Sequence, residues 1–210
     1  MSYISEKSSN KNFWQRFAKL YTPIMKKNEK TFEEICNILE SYITKKSNVL
    51  ELACGTGQIS FLVADKVESY IATDFSENMI QEANKRKTKN PTKAHFQIAD
   101  ATNLQFQEKS FDVVIISNAL HIMPNPELAL KEIRRVLKPD GIIFAPTFVY
   151  EKGYSKLLIW CMEKAGFRTF NKWKLSDFTA FIEAQDFSVI DSKLLKSLPC
   201  PECVLVGKRL

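Results

Sequence analysis

The chain has 210 residues, 45% of them hydrophobic and 26% charged, with a formal charge of +6. A chain of this size buries about 70% of its unfolded surface, which suits one domain with a real core. No apolar run is long enough to span a bilayer, the polar start Met1 to Asn12 is no signal peptide, and the lysines are scattered, so a soluble cytoplasmic protein with no nucleic-acid partner is expected.

Residues 1–10 are expected to fray. Phe13 to Tyr21 predicts an amphipathic helix with Phe13, Phe17, Leu20 and Tyr21 on one face, interrupted at Pro23 and the lysines after it. Thr31-Phe-Glu-Glu34 has the pattern of a capping box, opening a helix that runs to about Thr44. Val49 to Leu52 reads as a buried strand, Ile59 to Val67 as a helix, and Tyr70 to Thr73 as a second strand.

Ser76 can cap a helix whose inner face is Met79, Ile80 and Ala83. Ala94 to Ala99 is a third strand, and Phe111 to Ser117 is the most apolar strand of the chain. Asn125-Pro126 starts a helix with Leu130, Ile133, Val136 and Leu137 inward. Lys138-Pro-Asp-Gly141 predicts a turn, and Ile142 to Ala145 a fifth strand.

Phe148 to Trp173 is aromatic and apolar, with a helix from about Ser155 to Ala165 closed by Gly166. A helix over Ser176 to Ala184 follows. Phe187 to Leu195 and Glu202 to Gly207 then read as an antiparallel strand pair.

The five cysteines are Cys36, Cys54, Cys161, Cys200 and Cys203, an odd number that suits reduced thiols. Cys200-Pro-Glu-Cys203 lacks two further ligands for zinc, since His95 and His121 belong to other elements. It also precedes a strand rather than opening a helix after one, so a packing role is expected over a redox one.

Strands alternating with helices predict a parallel sheet with right-handed crossovers and a ligand at the carboxyl ends of the strands. Gly55, Gly57, Asp74, Asp100 and Asn118 all fall at such ends. Gly55 and Gly57 let the backbone turn and approach a ligand, and the helix behind them points free N–H groups outward. Such a turn serves dinucleotides, nucleotides and S-adenosylmethionine alike. Three details narrow it. Glu51 precedes the turn. Ser60 stands where a dinucleotide fingerprint has its third glycine. Asp74 closes the second strand, where a carboxylate can accept both ribose hydroxyls.

Taken in order, Glu-Leu-Ala-Cys-Gly-Thr-Gly at 51–57, Ala-Thr-Asp-Phe-Ser-Glu-Asn-Met at 72–79, Ala-Asp-Ala at 99–101, Phe-Asp-Val-Val-Ile-Ile-Ser-Asn-Ala-Leu-His at 111–121 and Leu-Lys-Pro-Asp-Gly at 137–141 resemble the motifs of class I S-adenosylmethionine-dependent methyltransferases. The resemblance is to the small type 11 group, similar to the ubiquinone/menaquinone C-methyltransferases. It runs from Val49 to about Thr147. Ala53 departs from it, standing where the family often has glycine.

The resemblance implies an α/β, Rossmann-like three-layer sandwich around a mostly parallel seven-stranded sheet with a terminal antiparallel strand. It implies S-adenosylmethionine as cofactor and no metal. It divides the chain into a helical lid at 1–45, a cofactor-binding core at 46–147, an aromatic acceptor cap at 148–175 and a final helix and strand pair at 176–210. By resemblance, backbone from Glu51 through Ala53 to Gly55 meets the methionine portion, and Gly57 allows close approach. Asp74 takes the ribose hydroxyls, Phe75 and Met79 flank adenine, and Asp100 and the Ala101 N–H meet its polar edge. Ser117 and Asn118 lie by the amino-acid tail.

His121, after the fourth strand, is the candidate base or a pocket-lining group, and Tyr21 of the lid either faces the site or packs on the core. Tyr21, a loop after Ile143 and the aromatic segment are expected to roof a pocket for a small, partly hydrophobic acceptor. Methylation of RNA or protein, NAD-dependent oxidoreduction and cofactor binding without turnover are the competing readings.

Overall fold

The computed structural model describes residues 3–164 and 166–210. Seven strands form one sheet: β1 (Asn48–Leu52), β2 (Ser69–Asp74), β3 (His95–Ile98), β4 (Phe111–Ile116), β5 (Leu137–Phe148), β6 (Phe187–Leu195) and β7 (Glu202–Arg209). Their order across the sheet is β3-β2-β1-β4-β5-β7-β6. The first five run parallel, and β7 lies antiparallel between β5 and β6. Because β7 is reversed, its first residue, Glu202, sits at the edge where the parallel strands end, opposite Phe148.

Alternate residues of each strand feed two cores. On one face Val49, Tyr70, Ala72, Val113, Ile115 and Phe144 pack with α2 (Glu29–Leu39), α3 (Ser60–Val63) and α4 (Glu77–Lys89). On the other Leu50, Leu52, Val114, Ile116, Ile143 and Leu205 pack with α5 (Pro126–Val136) and α7 (Leu175–Glu183). The central strands β1 and β4 are mostly apolar on both faces because both faces are covered, which makes the three-layer sandwich.

The chain departs from its sequence pattern in several places. Helix α1 spans Tyr3–Met25, so residues 3–10 are helical rather than frayed, while residues 1 and 2 lie outside the described part. It runs through Pro23 for two more residues, then tightens into a 3-10 turn at Lys26–Asn28. No capping box forms at Thr31, because α2 already begins at Glu29 and the Thr31 hydroxyl donates to the Lys196 carbonyl at 3.4 Å. The same helix ends at Leu39, followed by a 3-10 turn at Glu40–Tyr42.

The helix expected over Ile59 to Val67 shrinks to α3 and a 3-10 turn at Ala64–Lys66. The turn expected at Lys138 to Gly141 is a bulge inside β5: Leu137 pairs with Phe111 and Ile142 with Val113, and Asp140 takes a left-handed φ of 61°. Strand β5 continues to Phe148, so no loop follows Ile143. Helix α6 spans Lys156–Lys164, and Ala165, its expected last residue, lies outside the described part.

Phe144 is fully buried at the middle of β5, where it supports both the sheet and the α2 side of the core. Phe144→Ala is expected to cost about 3–5 kcal/mol of unfolding free energy, read from the urea midpoint, because close-packed neighbours collapse poorly into so large a void.

Candidate functional site

The carboxyl edge of the sheet carries the site. After Leu52 the chain turns on Ala53, Gly55 and Gly57, with φ values of 54°, 56° and 84°. Two hydrogen bonds hold the turn: Cys54 N–H donates to the Thr73 carbonyl at 2.9 Å, and Gly57 N–H to the Cys54 carbonyl at 2.9 Å. A Cβ on Gly55 would lie 3.0 Å from the Tyr21 ring, and one on Gly57 would lie 2.9 Å from Phe61 and 3.0 Å from Phe96. Both glycines are thus required by backbone angle and by close approach. Ala53 meets the first demand without glycine's freedom.

Asp74, at the end of β2, faces that turn. Its carboxylate accepts from Gly55 N–H at 2.9 Å and from Ser76 N–H at 2.8 Å. Ser76 caps α4 by accepting from Met79 N–H at 3.4 Å, so the turn, β2 and the start of α4 are tied through one side chain. Burial pushes the Asp74 pKa up to about 6 against these bonds, which favour the charged form. Met79 packs inward, and Phe75 is partly buried beside it in sequence. The ends of β2 and β3 are joined by Ala99 N–H donating to the Asp74 carbonyl at 3.1 Å. Just beyond, Asp100 accepts from Thr102 N–H at 3.0 Å, and Ala101 packs in the core.

Glu51 is 2% exposed and points into the protein. It accepts from Tyr70 Oη at 2.8 Å and from the Ser60 hydroxyl. Burial raises its pKa to about 7. The Glu51 carbonyl accepts from Thr73 Oγ1 at 3.1 Å, which fixes the end of β1 against β2.

At the end of β4, Ser117 is partly buried and Asn118 adopts a left-handed φ of 52°, held by its N–H donating to the Pro146 carbonyl at 2.8 Å. Its side-chain N–H donates to Glu202 Oε1 at 2.7 Å. Glu202 is 2% exposed, and burial raises its pKa to about 7. Helix α1 crosses above this edge. Thr22 and Thr56 share a hydroxyl–hydroxyl hydrogen bond at 2.7 Å, and Asn78 Nδ2 donates to the Gln15 carbonyl at 2.9 Å. Burial first, then the Asp74, Glu202 and Glu51 carboxylates, hold the Tyr21 phenol well above its ordinary range. The Tyr21 ring lies over Gly55 of the turn.

His121 lies apart from this group, 3% exposed, with Nδ1 3.1 Å from Thr147 Oγ1. Burial lowers its pKa to about 3, so the ring is neutral. Its carbonyl accepts from Phe170 and Asn171 N–H at 3.0 and 3.1 Å, which anchors the aromatic segment. The ring lines an apolar cavity of about 20 Å³ with Phe148, Tyr150, Phe167 and Cys200, room for about one water. The aromatic segment divides: Phe167 meets Phe13 and Trp14 of α1, Trp173 stacks on Phe181, and Trp160 is 55% exposed.

Two participants escaped the sequence reading. Glu202 shows itself only as an acid opening an apolar strand. Arg86 was hidden in a lysine-rich helix end; it donates to the Thr56 carbonyl at 2.6 Å and to Gln58 Oε1 at 2.9 Å, and stacks on Phe61 at 4.4 Å. It braces the glycine turn from behind. Cys200 and Cys203 are both buried, with thiol pKa values raised to about 11 and 12, unlike reactive thiols. No group of metal-ligating side chains occurs among the described residues.

Residues 43–204 match the family model of a methyltransferase domain. The chain belongs to the class I S-adenosylmethionine-dependent methyltransferases. The demethylmenaquinone methyltransferase of Leptospira interrogans is 42% identical over 109 residues, covering 50% of this chain and 44% of that protein. That of Staphylococcus saprophyticus is 33% identical over 168 residues, covering 76% of this chain and 70% of that protein. The chain thus spans less than half the length of the first of these relatives. A Thermotoga maritima structure, described as a methyltransferase and possible histamine N-methyltransferase, matches with a TM-score of 0.76 at 18% identity, over 95% of this chain and 99% of that one. At that identity the likeness is one of fold.

Among the described residues no ion pair involves Glu51, Asp74 or Glu202, so a buried acidic edge lies beside a bare backbone turn. Such an edge suits a ligand that carries positive charge, hydroxyls and a flat ring.

Replacing Ala53 by glycine is expected to raise stability by about 0.5–1 kcal/mol in urea unfolding, since relief of the left-handed strain exceeds glycine's added freedom in the unfolded chain. Stability should also depend on pH. Glu51, Asp74 and Glu202 hold protons in the folded protein that the unfolded chain has released, so their contribution is lost as pH rises through about 7. His121 acts oppositely, but only below its unfolded value of 6.5. Between pH 6.5 and 8 the acids dominate, and unfolding free energy is expected to fall by about 1–2 kcal/mol, measurable by denaturant titration.

Proposed function

We propose that the chain transfers the methyl group of S-adenosylmethionine to a small, partly hydrophobic molecule in the cytoplasm, by in-line displacement. The observation that carries this is the contact between Asp74 and the glycine turn. The turn leaves no Cβ over Gly55, and the carboxylate beside it keeps lone pairs beyond its two backbone bonds. Those lone pairs would accept the ribose hydroxyls. Backbone from Glu51 to Gly55 would border the methionine portion, with Gly57 allowing close approach. Phe75, Met79, Asp100 and Ala101 would border the adenine, and backbone at Ser117 and Asn118 the amino-acid tail. Bound there, the cofactor supplies a methyl group already activated on a sulfonium.

The chain's own work is then positioning and drying. Tyr21 covers the turn from α1, and Phe167 ties α1 to the aromatic segment through Phe13. Excluding water keeps the acceptor aligned and strengthens every charge interaction inside. Tyr21 and His121 would border the acceptor side, with the neutral His121 ring a shape-setting group. Relatives named as demethylmenaquinone methyltransferases support an aromatic, partly apolar acceptor.

Asp74→Ala is expected to weaken S-adenosylhomocysteine binding tenfold or more, about 1.4 kcal/mol, by calorimetry. An unchanged affinity would remove Asp74 from the cofactor site.

A further inference from the structure

Glu202 is the one buried carboxylate of the edge that the cofactor reading leaves without a task. It lies past Asn118 along the edge, on the side away from Asp74, in the strand order β2-β1-β4-β5-β7. One of its oxygens takes the Asn118 amide at 2.7 Å. The other pole of that amide, Asn118 Oδ1, is buried with no hydrogen-bond partner. Orphaned buried oxygens are rare, and a carboxylate held next to one wants a donor. Tyr21 lies over Gly55 on the same edge, and the strand order places Asn118, at the end of the neighbouring β4, next to that turn, with Glu202 of β7 bonded to it.

We infer that Glu202 and Asn118 Oδ1 together form the acceptor subsite, and that it takes a small molecule presenting an N–H or O–H at the atom to be methylated. The inference rests on the cofactor reading above. The class is that of amines and phenols; an acceptor lacking a polar hydrogen would leave Asn118 Oδ1 buried and unpaired. As the acceptor's lone pair forms its bond to the methyl carbon, the C–S pair stays on sulfur as a neutral thioether. The acceptor's proton passes to the Glu202 carboxylate. Burial has moved that group to about 7, where a base both accepts and releases protons near neutrality.

The test needs no knowledge of the acceptor. Sinefungin carries an ammonium group where the cofactor carries its transferable methyl, whereas S-adenosylhomocysteine carries nothing there. Calorimetry on the full chain should find sinefungin about tenfold tighter or more, as a charge-assisted bond predicts. In Glu202→Gln, an isosteric change that can still accept from Asn118, this preference should collapse while S-adenosylhomocysteine affinity stays within about twofold.

Equal loss for both compounds would place Glu202 against the cofactor's own tail and overturn the subsite. So would a preference that survives the substitution. If the variant does not fold, the wild type still decides: no sinefungin preference overturns the subsite. If the wild type binds neither compound, the cofactor reading fails, and that failure is distinct from the others.

Discussion

The site depends on one short contact between two strand ends. Asp74 reaches across from β2 and holds Gly55 N–H, while its second oxygen holds the first turn of α4. Without it the turn after β1 would expose unpaired N–H groups at a left-handed backbone, a conformation that needs local support. The carboxylate therefore does structural work before any ligand arrives. It also stays partly uncovered. In the proposed reading, structure and binding would share a side chain here, because both need negative charge aimed at the glycine turn.

Burial of that edge carries an electrostatic cost, which the protein limits but does not cancel. Glu51 is satisfied internally by Tyr70 and Ser60, Asp74 by backbone, and Glu202 by Asn118. None is satisfied by a described cation. Each is therefore pushed toward its neutral form in the free protein. A cationic ligand reverses that preference. Arg86, the nearest brace on the turn, spends its guanidinium on carbonyls and on Phe61 rather than on these acids. The positive charge is held behind the turn and kept away from the rim.

What was legible in the sequence was what depends on local pattern. The spacing from Gly55 to Asp74 reflects one βαβ unit, and the apolar runs at Val49 and Phe111 mark strands covered on both faces. The antiparallel pair at Phe187 and Glu202 was equally plain. The misreadings have tertiary causes. Thr31 turned its hydroxyl to Lys196, 165 positions away, so its local capping pattern had no effect. Lys138 to Gly141 has turn chemistry, yet pairing with β4 on either side absorbs it as a bulge. β5 outran its apolar stretch because β7 continues to pair with it as far as Glu202. Glu202 itself was invisible for the same reason: its partner Asn118 is 84 positions distant, and only the reversal of β7 brings them together.

Burial acts oppositely on His121 and Glu202. For an imidazole the charged form is the protonated one, so burial disfavours protonation and His121 falls to about 3. For a carboxylate the charged form is the deprotonated one, so burial favours protonation and Glu202 rises to about 7. Histidine, the usual base at neutral pH, is thereby made nearly non-basic, and glutamate, usually too weak, gains basicity. Thr147 fixes the imidazole's orientation and gives it no counter-charge, so nothing restores its proton affinity. What the structure shows for His121 is its carbonyl, which holds the aromatic segment at Phe170 and Asn171.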